Sequence, residues 1–125
     1  MLGNFGQTNY AAAKAGIYGL TRTAAIELQK HRSTVNALAP IAKTRLTEDL
    51  PMFQDVETLT PDHIAPAALF LASELSEDKT GYVLAVSGSR MYCFKVVESK
   101  GVYKDEHAAW TPAEIAENWD AINKP

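Results

Sequence analysis

Asn9-Tyr10-Ala11-Ala12-Ala13-Lys14 is the stretch on which the reading turns. On a helix, residues four apart project from one face a turn apart, so Tyr10 and Lys14 become neighbours. That pairing has a chemical use. A phenol with an ordinary pKa near 10 is a poor proton carrier at neutral pH, and a nearby ammonium stabilises its phenolate. A phenol so assisted can take a proton from an alcohol while hydride leaves the same carbon. A Tyr/Lys pair at this spacing also recurs by chance in many helices, so its weight comes from its surroundings. Working outward, apolar residues recur at helical spacing at Tyr10, Ala13, Ile17, Leu20, Ala24 and Leu28, which predicts one long helix from Thr8 to about His31. Beyond it, Val35-Asn36-Ala37-Leu38-Ala39 is short and mostly apolar and stops at Pro40, the pattern of a buried strand running into a loop. A helix followed by such a strand places ligand contacts at the carboxyl edge of an α/β sheet.

The rest of the chain fits that class. Residues 41 to 61 show no firm period, with a helical turn expected around Thr47 to Met52. Thr60-Pro61-Asp62 opens a second helix through about Ser73, with Ile64, Ala68 and Leu71 on its apolar face. Gly81 to Val86 and Met91 to Val97 read as strands flanking Ser87-Gly88-Ser89, joined by a bend rather than a tight hairpin. Trp110-Thr111-Pro112-Ala113-Glu114 is a helix start, with Thr111 as cap, Pro112 at the first helical position and Glu114 placed for a capping box. That helix is expected to run past Trp119 to about Ile122. Gly16 and Gly19 lie about one turn apart in the alanine-rich helix, where each costs roughly 1 kcal/mol relative to Ala. They predict close approach of a partner, and a homodimer through helix 8–31 is the expectation.

Composition narrows the function classes. The 125 residues are 46% apolar and 22% charged with a net charge of −3, the profile of a soluble globular domain. Acidic and basic residues are interspersed without a basic block, which argues against a nucleic acid partner. No apolar run reaches the roughly 20 residues that span a bilayer, and the first residues do not read as a secretory signal. A single cysteine, Cys93, admits no intrachain disulfide and fits a reducing, intracellular compartment. Cys93 reads as packed in its strand rather than reactive. His31, His63 and His107 are too scattered for a metal site and read as surface or local hydrogen-bonding residues. Trp110 and Trp119 read as anchors of the terminal helix, with lining an acyl pocket as the alternative. Glu74 to Asp78 reads as a solvated helix end.

The Tyr-x-x-x-Lys helix, the glycine-rich lead-in Gly3-Asn4-Phe5-Gly6-Gln7 and the strand ending at Pro40 together resemble the second half of a short-chain dehydrogenase/reductase. The resemblance implies an α/β fold, the C-terminal part of a Rossmann-like doubly wound parallel sheet over residues 1–88, and a short β/α extension over 89–125. It implies an NAD cofactor, Tyr10 as general acid/base, and Lys14 lowering the tyrosine's pKa while hydrogen-bonding the nicotinamide ribose. The loop holding Pro40, Ile41, Ala42, Thr44 and Thr47 would lie against the nicotinamide and pyrophosphate, with Thr44 or Thr47 as the hydroxyl contact. The family usually has Pro-Gly where this chain has Pro40-Ile41. Within the superfamily, Gly-Asn-Phe-Gly-Gln-Thr-Asn-Tyr at 3–10, Ala-Pro-x-Ala-x-Thr-Arg-x-Thr at 39–47 and the extension beyond Gly88 resemble most the (3R)-hydroxyacyl-CoA dehydrogenase regions of peroxisomal multifunctional enzymes of type 2. That implies an acyl-CoA substrate and, with it, a peroxisomal address.

The same resemblance exposes what these 125 residues lack. The seven glycines form no Gly-x-Gly, so the usual backbone cradle for a pyrophosphate at a helix N-terminus is missing. Tyr10 also lies too near the start for the serine that the family carries about 13 residues before its tyrosine. The expectation is half a domain, which by itself neither binds NAD tightly nor turns over; a non-catalytic oligomerising remnant of the fold is the alternative.

Overall fold

The computed structural model describes residues 8–41, 60–105 and 108–125, and the expected turn around 47–52 lies outside them. The chain forms two compact units, Met1–Phe94 and Lys95–Pro125.

In the first unit, helix α1 spans Thr8–Leu28 and tightens into a 3-10 turn, Gln29–His31, as the periodicity predicts. Arg32 ends it in the left-handed region at φ 56°, its N–H donating to the Gln29 carbonyl, and the chain reverses into strand β1, Ala37–Ile41. Pro40 lies inside β1 rather than ending it. Among the described residues β1 is an edge strand, where a residue without an N–H is tolerated because one side of the strand has no ladder to serve. Strand β2, Val83–Ser87, pairs with β1 in parallel, and β3, Arg90–Phe94, pairs with β2 antiparallel, giving the order β1-β2-β3.

The connection between β2 and β3 is a tight two-residue hairpin instead of the expected bend. Ser87 pairs with Arg90, and Gly88 takes φ 57° at the first turn position, where glycine suits the turns that match strand twist. Since β3 is paired with β2, it belongs to the first compact unit, which ends at Phe94.

The core is the central strand. Val83, Ala85 and Val86 are buried, with Ala25 of α1 and Ala67 of α2 (Ala65–Leu71). The second helix is shorter than expected: Pro61–His63 is a separate 3-10 turn, and Ala67 is the buried residue while Ala68 faces solvent. Thr60 caps nothing; its hydroxyl meets His63 Nδ1 at 2.9 Å, which makes that histidine a local hydrogen-bond partner. After α2, Glu74, Glu77 and Asp78 are solvated as expected, and Ser76 is buried, donating to the carbonyls of Leu71 and Ser73.

The amino ends of the two parallel strands are laced by side chains. Asn36 Nδ2 donates to the Lys79 carbonyl (2.8 Å) while its Oδ1 accepts from Tyr82 N–H (3.0 Å), and Thr80 Oγ1 accepts from Val35 N–H. Asn36 thereby extends the ladder by one rung, a backbone pairing mimicked by an amide.

In the second unit, α3 (Pro112–Glu117) starts at the expected capping box: Thr111 Oγ1 accepts from Glu114 N–H, and the Glu114 carboxylate accepts from Thr111 N–H. The helix breaks at Asn118, whose Nδ2 donates to the Glu114 carbonyl, and resumes as α4, Trp119–Ile122. An amide side chain competing for a helix carbonyl favours such a break. Lys104 Nζ lies 2.7 Å from both Glu114 oxygens and 3.0 Å from the Ala109 carbonyl, over the Trp110 ring. Trp110 is thus held, whereas Trp119 is 57% exposed.

Candidate active site

Three residues locate the site. Arg22 and Ala25, in the second half of α1, lie against Gly81 just before β2: Arg22 Nη1 donates to the Gly81 carbonyl at 3.0 Å, and a Cβ built on Gly81 would stand 3.5 Å from Ala25 Cβ. The chain reverses after Leu28, so α1 runs back against the strand direction. From Arg22 to Tyr10 the helix advances about 18 Å; from Gly81 to Ser87 the strand advances about 20 Å. Tyr10 therefore stands about level with the carboxyl ends of β1 and β2, with Lys14 one helical turn below it, at the edge where open α/β sheets hold their ligands.

There the pair is assembled as the spacing predicts. Lys14 Nζ lies 5.3 Å from the centroid of the Tyr10 ring, within range for cation–π attraction. Tyr10 is 57% exposed, and its backbone N–H donates to Asn9 Oδ1 at 2.9 Å, occupying one of the first-turn donors a helix leaves unpaired. Chemically, this arrangement offers an exposed hydroxyl that can exchange a proton, beside an exposed cation.

Pro40 and Ile41 end β1 at the same edge; Ala42, Thr44 and Thr47 lie outside the described residues. Register puts one further residue in that row. Ile41 pairs with Ser87 and Ser87 with Arg90, so Arg90 also stands at the carboxyl edge. No local motif marks it, because only the hairpin register brings it there.

For a dinucleotide, this edge supplies only part of what is needed. Lys14 and the end of β1 offer an ammonium and a strand end to such a group, whereas no described residue provides a phosphate cradle. Gly81, Gly88 and Gly101 take positive φ, but none of them opens a helix. A shallow cleft lined by Gln29, Arg32, Ser33, Thr34, Glu77, Asp78 and Thr80 lies at the opposite, amino end of the sheet and has no part in the site. Among the described residues no cluster of His, Cys, Asp or Glu is placed to hold a metal ion, and no helix is long and apolar enough to cross a membrane. Cys93 is exposed rather than packed, because alternation along β3 half-buries Tyr92 and Phe94 and turns Met91 and Cys93 outward.

The family model described as enoyl-(acyl carrier protein) reductase matches residues 2–88. A short-chain type dehydrogenase/reductase of Mycobacterium tuberculosis is 38% identical over 98% of the chain, which spans 42% of that protein. Peroxisomal multifunctional enzyme type 2 of Mus musculus is 36% identical over 96% of the chain, which spans 16% of it. A crystal structure of a short chain dehydrogenase from Mycobacterium avium superposes with a TM-score of 0.75 at 36% identity, covering 98% of this chain and 41% of that one. The chain thus spans less than half the length of these relatives. The parallel β1-β2 pair with α1 before it is the shared Rossmann-like framework, and its helix carries Tyr-x-x-x-Lys. On the family match and on these relatives, the chain belongs to the short-chain dehydrogenase/reductase family of oxidoreductases.

Proposed function

We propose that this chain carries the proton-transfer half of an NAD-dependent oxidation of a 3-hydroxyacyl-CoA to its ketone. The observation that carries the reading is the Lys14 ammonium 5.3 Å over the Tyr10 ring at the carboxyl edge of the sheet. Tyr10 Oη takes the proton of the substrate's secondary hydroxyl as the general base and returns one in the reverse direction. Lys14 stabilises the negative charge that proton transfer places on the phenol oxygen and offers donors to ribose hydroxyls. NAD, when bound, supplies the hydride acceptor. Pro40 and Ile41, with Ala42, Thr44 and Thr47 of the following loop, are the remaining residues read as cofactor contacts. The acyl-CoA substrate rests on the likeness to the multifunctional enzyme, and a peroxisomal address accompanies it where the host is of the mouse relative's kind.

With no phosphate cradle in its sequence, the isolated chain is expected to hold NAD weakly and not to turn over. The test joins the chain to the amino-terminal portion of the mycobacterial dehydrogenase and follows NADH formation from a 3-hydroxyacyl-CoA. Activity that vanishes in Tyr10→Phe with NAD binding retained supports the reading; activity that survives the substitution rules Tyr10 out as the proton carrier. An NAD dissociation constant below the millimolar range for the isolated chain overturns the expectation of incompetence.

A second reading, an oligomerising role, is favoured by the surface of α1. Of its 21 residues only Thr21 and Ala25 are buried, Ile17, Leu20 and Ile26 are exposed, and a Cβ built on Gly16 or Gly19 would meet nothing within 4 Å among the described residues. The close approach those glycines predict is not made within the described chain, and a homodimer through this helix is the proposed partner. Sedimentation of wild type against Leu20→Glu tests it: a dimer lost on substitution supports the role, and a monomeric wild type sinks it.

A further inference from the structure

Arg90 is a charged residue that neither reading uses, and three facts set it apart from an ordinary surface cation. The rung Ile41–Ser87–Arg90 places its backbone about 10 Å from Ile41 along the carboxyl edge, two strand spacings away. Its guanidinium covers the Tyr92 ring, Cζ lying 4.5 Å from the centroid, and Tyr92 in turn meets Phe94 edge-on at 5.4 Å and 68°. Among the described residues the ion pairs are Lys79–Asp78 and Lys104–Glu114, and Arg90 has no carboxylate within that range. A guanidinium stacked on an aromatic ring keeps its N–H fork free in the plane, already oriented and weakly hydrated, which suits bidentate contact with a phosphate.

We infer that Arg90 is a specificity residue that binds a phosphate of the substrate's acyl carrier. This rests on the reading of Tyr10 as the group that handles the substrate hydroxyl. A phosphorylated pantetheine thioester carries its reacting acyl group and its phosphates at opposite ends of an extended arm. The group that reads the phosphate must therefore stand along the edge from the group that moves the proton. Arg90 is so placed, two strands from the end of β1 and on the antiparallel flank. NAD is a second source of phosphate, and the test separates the two.

Heteronuclear NMR on the 125-residue chain reads the binding without turnover, using coenzyme A, unphosphorylated pantetheine and NAD as probes. Coenzyme A is expected to shift the Arg90 Nε–H and the Tyr92 ring signals, pantetheine to leave them in place, and Arg90→Gln, with its strand amide signals unchanged, to bind coenzyme A about tenfold more weakly. Equal binding of coenzyme A by Arg90→Gln, equal shifts with pantetheine, or no binding of coenzyme A overturns the inference. Stronger shifts at Arg90 with NAD than with coenzyme A overturn it as well, assigning the phosphate to the dinucleotide. Because no reaction is measured, a Tyr10→Phe fusion that stays active removes Tyr10 as the proton carrier separately from this result.

Discussion

The Arg22 guanidinium donates to the Gly81 carbonyl at 3.0 Å, pinning the middle of α1 to the start of β2. Gly81 takes φ 78°, and a Cβ there would lie 3.4 Å from Arg22 Nη1. Gly81→Ala therefore has room for its methyl but forces a side chain onto a left-handed backbone, and is expected to cost about 1–2 kcal/mol. Arg22→Ala, which leaves the backbone alone and acts at an exposed side chain, is expected to cost about 1 kcal/mol. Urea unfolding followed by circular dichroism checks both; Gly81→Ala at wild-type stability would show that the turn tolerates a side chain.

Replacing Lys14 separates its chemistry from its place in a helix. Lys and Ala have similar helix propensities, so Lys14→Ala should leave helix content and melting nearly unchanged. In the active fusion it should lower kcat by about a hundredfold or more. Unchanged turnover would make the contact with Tyr10 structural only.

Acid should loosen the second unit. Hydrogen bonding from Lys104, then from the backbone and hydroxyl of Thr111, lowers the Glu114 carboxyl from 4.5 to about 2. A group whose pKa is depressed by folding contributes stability that is complete above its unfolded pKa and lost as pH falls through the folded one. The contribution is thus full above about pH 4.5 and drains toward about pH 2. Both tryptophans, Trp110 and Trp119, belong to this unit, so fluorescence isolates it. Glu114→Gln should remove that part of the acid transition; a transition identical to wild type would mean the clasp is not linked to folding.

Cap removal tests the same unit at neutral pH. Thr111→Ala deletes the acceptor for Glu114 N–H and should destabilise α3 by about 1 kcal/mol, read as a lower midpoint in the tryptophan transition. Thr111→Ser, which keeps the oxygen, should restore most of it.

Exposure of Cys93 makes a prompt chemical prediction. A thiol-specific chromophore should modify one equivalent in the native chain, without denaturant and with the circular dichroism unchanged. Protection until unfolding would place Cys93 inside the sheet's packing.

What could be read in advance depended on the range of the interaction. Tyr10 with Lys14, and Thr111 with Glu114, are pairs four and three residues apart, and helical geometry alone brings each together. The exposure of Cys93 depends on which face of β3 is covered, a matter of hairpin register that a weak alternation does not fix. Pro40 reads locally as a terminator, but its missing N–H is penalised only where a ladder needs one, and the edge position of β1 among the described residues is a tertiary fact. Trp119 was expected to anchor a continuous helix, but Asn118 diverts a backbone acceptor and divides it. Arg90 carried no local signal at all; two successive strand pairings bring it to the working edge.

The turn at Gly88 gives the sheet two unlike margins. By reversing the chain after β2, it sets an antiparallel strand on one flank, while β1 on the other keeps its parallel direction. A further strand arriving by a helical crossover finds a parallel neighbour only beside β1. The sheet therefore has a direction of growth, and that direction is away from Arg90: parallel strands can be added on the β1 side, while the hairpin flank keeps its fixed width.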